Sequence, residues 1–227
     1  MTTAAAIRHQ RSWGELGLGV ERQGLKRLRE TGAAKARMPT GGNEAILINT
    51  GGGLAGGDSF DIDIAAGEGA TLTVTSQAAE RVYRSLGEYA EVAITLRAGA
   101  NAHLSWLPQE TIVFDGAALS RKLTAEIAVG ARFLAVESFV LGRGESGETV
   151  ASARLRDRWR ISRNGVLMHA EDLRLDGPPS ATAATLGHHR AFASVLLIAD
   201  DCESLLDRVR AAIGIAGAAS AWNGKLV

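Results

Sequence analysis

The feature that most constrains this chain is a two-residue alternation that starts, stops at a glycine and starts again. Phe60, Ile62 and Ile64 alternate with polar residues, Val92, Ile94 and Leu96 alternate before Gly99, and Leu123, Ile127 and Val129 repeat the pattern before Gly130. Apolar residues spaced by two share one face of a strand but scatter around a helix. Regular turns between such runs predict a mainly β body, many short strands in packed, twisted sheets. Further strands are predicted at Val20–Arg29, Ala45–Asn49, His103–Leu107, Thr111–Phe114, Phe133–Leu141 and Phe192–Ile198. Phe60–Ala65 is expected to form a hairpin with Ala70–Ser76 across Gly67-Glu68-Gly69, and Arg154–Ser162 with Val166–Leu175 across Asn164-Gly165. Helices should be few, the clearest near the C-terminus. There Asp200 and Glu203 resemble a capping box, and Leu205, Leu206, Val209 and Ile213 share a face before Gly214. A single domain spanning residues 1–227 is expected, with the first 19 or so residues partly disordered.

Composition removes several functions. The 25 basic and 25 acidic residues balance, so no basic excess drives nucleic-acid binding. No apolar run approaches the roughly 20 residues that cross a membrane as a helix. The N-terminal MTTAAAIRHQRSW lacks the apolar region of a secretory signal, so a cytoplasmic protein is expected. The single cysteine, Cys202, excludes an internal disulfide and a CxxC metal site. Its neighbours Asp200, Asp201 and Glu203 should raise its thiol pKa and make it a poor nucleophile.

Residues 47–60, LINTGGGLAGGDSF, invite a phosphate-binding interpretation, and the chemistry refuses it. Gly51-x-Gly53-x-x-Gly56 matches the dinucleotide fingerprint, which requires a following helix to aim free N–H groups at a pyrophosphate. A strand period follows instead. Gly52-x-x-x-x-Gly57 mimics a phosphate loop, yet Asp58-Ser59 stands where Lys and Ser or Thr should. A carboxylate there repels phosphate. A wide glycine turn between two strands is the simpler outcome, since glycine permits close backbone approach.

Other chemistry is sparse. No GxSxG elbow and no HxH or HExxH spacing is present, and nothing has nucleophile–base spacing, so no enzyme activity is expected. His188 and His189 are adjacent and would diverge in strand or helix, which favours a surface or capping role over a metal site. Three carboxylates stand out: Asp58 after the glycines, Glu110 after Pro108-Gln109, and Glu137 inside an apolar run. A charge among buried strands is costly unless paired. An arginine partner, a polar conduit for a cation, or exposure at a bulge would each resolve it. Arg81, Arg84, Arg143, Arg158 and Arg160 are available as partners.

Taken together, several segments resemble the urease accessory protein D family (UreD, called UreH in some systems). Asn49–Asp58, with Gly51, Gly52, Gly53, Gly56 and Gly57, resembles its TGGG–hydrophobic–x–GGD signature. Thr75–Ser85, with Tyr83 and Arg84, resembles its YRS segment, and Trp106–Phe114, with Trp106 and Pro108, its W-L-P-Q-E-T-I segment. Glu137–Gly142 followed by Arg143–Glu148 resembles E-x-x-x-L-G-R-x-x-x-G-E. The resemblance implies a mostly β, non-catalytic protein without a stably bound cofactor. It implies binding to apo-urease and recruitment of UreF and of the GTPase UreG. Nickel would pass in transit through a polar tunnel, with Asp58, Glu110 and Glu137 as expected path residues. A purely structural adaptor without metal passage is the alternative, and a homodimer within the complex stays open. Neither nucleic acid nor membrane is implied. Against the family pattern the chain is expected to be short at its C-terminus, where members continue past Trp222–Lys225 with a helix and a basic tail.

Overall fold

A computed structural model describes residues 11–179, 182 and 185–227. In chain order the strands are β1 (Trp13–Glu21), β2 (Gly24–Gly32), β3 (Ala34–Arg37), β4 (Glu44–Asn49), β5 (Ser59–Ala66), β6 (Thr71–Ser76), β7 (Glu80–Val82), β8 (Ala90–Ala98) and β9 (His103–Leu107). There follow β10 (Thr111–Val113), β11 (Ala118–Ile127), β12 (Arg132–Leu141), β13 (Ala153–Arg163), β14 (Val166–Gly177) and β15 (Ala191–Ile198). Helix α1 (Leu206–Ile213) then precedes β16 (Ala221–Trp222) and β17 (Lys225–Leu226). Strand makes up 56% of the described residues against 8% helical, as the alternation predicts. Trp13–Glu21 is strand, so the expectation of disorder through about residue 19 fails from Trp13 onward. Residues 1–10 lie outside the described residues.

The strands fall into two sheets. One runs β14-β13-β11-β8-β5-β1-β2; the other runs β16-β17-β15-β12-β9-β6-β4-β3, with β10 joining β12 to β7. From β4 to β13 the chain passes repeatedly from one sheet to the other, so neighbours within each sheet are mostly parallel. This winding corrects the predicted hairpin at residues 60–76. β5 pairs in parallel with β1 and β8, whereas β6 pairs in parallel with β4 and β9. The Gly67–Gly69 turn is a corner between sheets. The Gly67 N–H donates to the Val20 carbonyl and the Gly69 N–H to the Ala100 carbonyl. The Asn164-Gly165 hairpin forms as predicted, with φ of 50° and 76° at its two turn residues.

Parallel winding stacks equivalent residues into rows. Leu18, Ile64, Leu96, Ala125 and Ile161 lie side by side across the first sheet. Leu72, Leu104, Phe133 and Ile198 do so across the second. All are buried, and each large apolar side chain contributes about 1.5–3 kcal/mol by leaving water. One row breaks the rule: Gly14, Phe60, Val92, Arg121 and Asp157 are in register, so an ion pair sits where the pattern demands apolar groups.

The C-terminal helix starts after a 3-10 turn at Cys202–Leu205 and stops at Gly214. Leu205, Leu206 and Val209 pack beside buried Leu197, Ala199 and Cys202. The expected capping box does not form. Asp200 instead pairs with Arg163 at 2.7 Å, and Glu203 accepts the Gly224 N–H at 2.8 Å. Burial and the nearby Glu203 carboxylate push the Cys202 thiol up to about 11, in line with an unreactive cysteine.

Candidate functional site

The glycine stretch and the Tyr83–Ser85 segment are built into one another. Leu54 bridges Val82: its N–H donates to the Arg81 carbonyl at 2.7 Å, and its carbonyl accepts from Tyr83 N–H at 2.8 Å. The Tyr83 hydroxyl donates to the Gly52 carbonyl at 2.9 Å. Gly53 has φ of 146°, and any Cβ there would overlap the Tyr83 ring. A Cβ at Gly56 would strike the Ser85 hydroxyl, and the Gly57 N–H donates to the Tyr89 carbonyl at 2.9 Å. The Gly51 N–H donates to the Asn49 side chain at 2.9 Å. Tyr83 meets Phe114 edge-on at 5.1 Å, and Arg84 pairs with Asp115. These glycines serve backbone–side-chain contact with neighbouring strands, as the glycine-turn interpretation predicts.

Asp58 completes this assembly. It is buried, with Oδ1 accepting the Ser12 N–H at 2.7 Å and Oδ2 accepting the Ala55 N–H at 2.8 Å. The carboxylate therefore closes the glycine turn and ties the entry of β1 to it. Glu110 neighbours Glu80 through a Glu80 N–H bond to the Glu110 carbonyl at 2.9 Å.

Between the two sheets lies a cavity of about 290 Å³. Gly52, Gly53, Trp106, Pro108 and Glu137 line it, whereas Gly51, Gly56, Gly57, Asp58, Tyr83, Arg84 and Glu110 stand outside its lining. The four segments of the resemblance thus bring residues to one cavity or to the loops that frame it. Asn49, Glu80, Thr111 and Arg121 also line it; the first three lie within the family-like segments without being site candidates, and Arg121 lies outside them.

Arg121 is the hub. Its Nε and Nη2 donate to the two oxygens of Asp157 at 2.9 and 3.0 Å, and its Nη1 lies 2.6 Å from Glu137 Oε2. Nη1 also reaches Thr111 Oγ1 at 3.3 Å, and the guanidinium stands 4.8 Å from the Phe139 ring centre. Trp106 Nε1 donates to Glu137 Oε1 at 2.7 Å. Glu137 Oε2 takes no aligned hydrogen bond despite its closeness to Arg121, so its lone pairs are not fully used. Glu80 sits on the same wall, with Asn49 Nδ2 at 3.3 Å from both its oxygens.

Arg121 fills the arginine-partner role expected for Glu137. Four of the five arginines offered for it are engaged elsewhere: Arg84 with Asp115, Arg143 with Glu148, and Arg158 and Arg160 with Asp172. The signal was present. Arg121 lies two residues from Leu119 and from Leu123, and Asp157 two from Leu155 and from Trp159. The alternation itself aims both charges inward.

The electrostatics are lopsided. Burial would lower the Arg121 pKa, but the charges of Glu137 and Asp157 outweigh it and raise it, so the guanidinium stays charged. Burial pushes the Glu137 and Glu80 carboxyls above the usual range, with the nearby Asp157 charge adding to the effect at Glu137. Two buried carboxylates, Glu137 and Asp157, thus contact one buried guanidinium, while Glu80 feels both Arg121 and Arg81, and Arg81 and Lys35 also line the cavity. The lining is more apolar than polar, and a cavity of this size accommodates several waters or a hydrated cation beside its carboxylates. Among the described residues, no group of three His, Cys, Asp or Glu is arranged as a ready-made ligand set. Nor is any helix long and apolar enough to cross a membrane.

Two sheets wound in parallel, with a partly open cavity between them that reaches a buried ion-pair cluster, and a glycine turn closed by Asp58, define a β scaffold whose distinctive chemistry lies between the sheets. Residues 12–227 match the family model described as UreD urease accessory protein. A urease accessory protein UreD from Rhizobium johnstonii is 47% identical over 239 residues, covering 100% of this chain and 88% of its own. Those of a Methylobacterium species and a Chelativorans species are 46% and 47% identical, covering 97% and 89% of this chain and 85% and 76% of their own. The chain belongs to the UreD family of urease accessory proteins. Its role accordingly lies in urease maturation.

Proposed function

We propose that the protein is a non-catalytic scaffold that binds apo-urease, recruits UreF and UreG, and carries nickel in transit through the cavity between its sheets. The observation that supports this is that Arg121 is shared between two buried carboxylates, Glu137 and Asp157, which leaves Glu137 Oε2 at the cavity without an aligned hydrogen bond. Nickel in aqua form accepts carboxylate and water oxygens, and a conduit must hold its ion weakly enough to release it. Glu137 and Glu80 supply the carboxylates of the cavity wall. Glu110 adjoins Glu80. Asp58, with both oxygens held by amides, contributes in this reading by fixing the loop that lines the cavity.

A second reading keeps the scaffold and drops the metal. Arg121 already neutralises Asp157 with two well-formed bonds, and Trp106 anchors Glu137, so the cluster would simply fix how the sheets meet. The E137Q variant separates the two. It removes charge while keeping an acceptor for Trp106. Co-purification of E137Q with UreF and apo-urease, followed by the nickel content of the activated urease, is the test. Assembly retained with nickel reduced supports transit; assembly and nickel both retained supports the adaptor.

A further inference from the structure

The outer face of the seven-stranded sheet carries a second charged feature. Every solvent-side position of β13 from 154 to 160 is arginine: Arg154, Arg156, Arg158 and Arg160. Asp172 accounts for Arg158 and Arg160, at 2.9 and 2.5 Å. Arg154 donates to the Gly87 carbonyl at 2.7 Å and faces Asp176 in register. Arg156 instead faces Arg174, and Lys122 stands beside Arg158. Like charges directly opposite on neighbouring strands are destabilising. Arg156, Arg174 and Lys122 are all exposed, and none forms an ion pair among the described residues.

Beside this row the sheet is hollowed into an open trough of about 580 Å³. Lys122, Arg156 and Arg174 form one wall, and Glu15, Asp61 and Glu91 the other. The acidic wall would repel a long polyanion. At the basic side, Arg154 and Arg156 lie 4.7 and 4.8 Å from the Tyr89 ring centre, and Leu86 is 77% exposed on the loop that carries Gly87. Arginine, tyrosine and an exposed leucine together have the composition of a protein-contact patch rather than a nucleic-acid groove.

We propose that this face docks an acidic segment of a protein partner, with carboxylates meeting Arg156, Arg174 and Lys122 and an apolar side chain meeting Leu86. The inference is independent of nickel passage. Its test is fluorescence anisotropy with a labelled glutamate-rich peptide containing leucines, at low ionic strength. R156E/R174E should weaken binding about tenfold or more, because each close charge pair is substantial. Added salt should weaken wild-type binding. R174E alone should melt no lower than wild type, since it removes a like-charge contact, yet bind the peptide less well; this separates recognition from folding. K26E/R27E, at the far edge of the same sheet and paired with Glu21 and Asp63 outside the trough, should retain binding. No binding by wild type, equal loss in K26E/R27E, or equal competition by a DNA duplex would each overturn the proposal.

Discussion

Replacing Arg121 by methionine tests how the interior is held together. The substitution keeps much of the side-chain volume and removes the one buried cation that Asp157 and Glu137 contact. Both carboxylates are almost wholly buried, so the few waters that reach them from the adjoining cavities replace the lost partner only in part. Breaking a buried pair by deleting one member costs about 3–5 kcal/mol. For a chain of this size that lowers the melting temperature by about 6–20 °C, at roughly 2–4 °C per kcal/mol. Circular dichroism melts and urea midpoints report it directly. Neutralising the carboxylates as well, in R121M/E137Q/D157N, should recover most of the loss, because it is the orphaned charge that is costly. An R121M melt within a degree or two of wild type, or a triple variant no better than the single, would refute the view that Arg121 holds these charges.

Other expectations follow from the same geometry. Glu80 and Glu137 have folded pKa values raised above the unfolded one, so their contribution favours the fold at low pH and is lost as pH rises from about 4.5 through the shifted values; each unit of upward shift is worth about 1.4 kcal/mol. Urea midpoints across pH should therefore slope less in E80Q/E137Q than in wild type. Asp63 and Glu148 behave oppositely: their lowered pKa values mean stability that is present above the unfolded pKa and lost as pH falls further. G53A should cost about 1–3 kcal/mol in a thermal melt, from backbone strain at φ of 146° and overlap with Tyr83, whereas Y83F should cost only about 1 kcal/mol for one hydrogen bond. D58A leaves two backbone N–H groups without their acceptor and should lower stability by about 2–5 kcal/mol while the chain still folds.

The strands were legible because a two-residue period is local: Phe60, Ile62 and Ile64 declare a strand whatever surrounds them. Which sheet that strand joins is not local. β5 and β6, separated by a short glycine turn, have the sequence form of a hairpin, yet each finds its partners in other turns of the winding. The Asn164-Gly165 hairpin succeeded because its turn residues impose left-handed backbone whatever the sheet. At the site, Glu137 was conspicuous as a charge in an apolar run, but its partner lay on the opposite sheet. Arg121 and Asp157 were disguised because arginines and acids are common along both strands; only the inward phase of the alternation distinguishes them. Asp58 was singled out for its position after the glycines, and its hydrogen bonds give that position a structural cause.

The most direct test of nickel transit is the nickel content of urease activated with E80Q/E137Q in place of wild type, measured by mass spectrometry on urease from assembled complexes. Both substitutions remove carboxylate charge from the cavity wall and leave the Arg121–Asp157 pair intact, so the scaffold should melt at or above the wild-type temperature. Transit through the cavity predicts urease that is assembled but depleted in nickel. Urease fully loaded by this variant would contradict it.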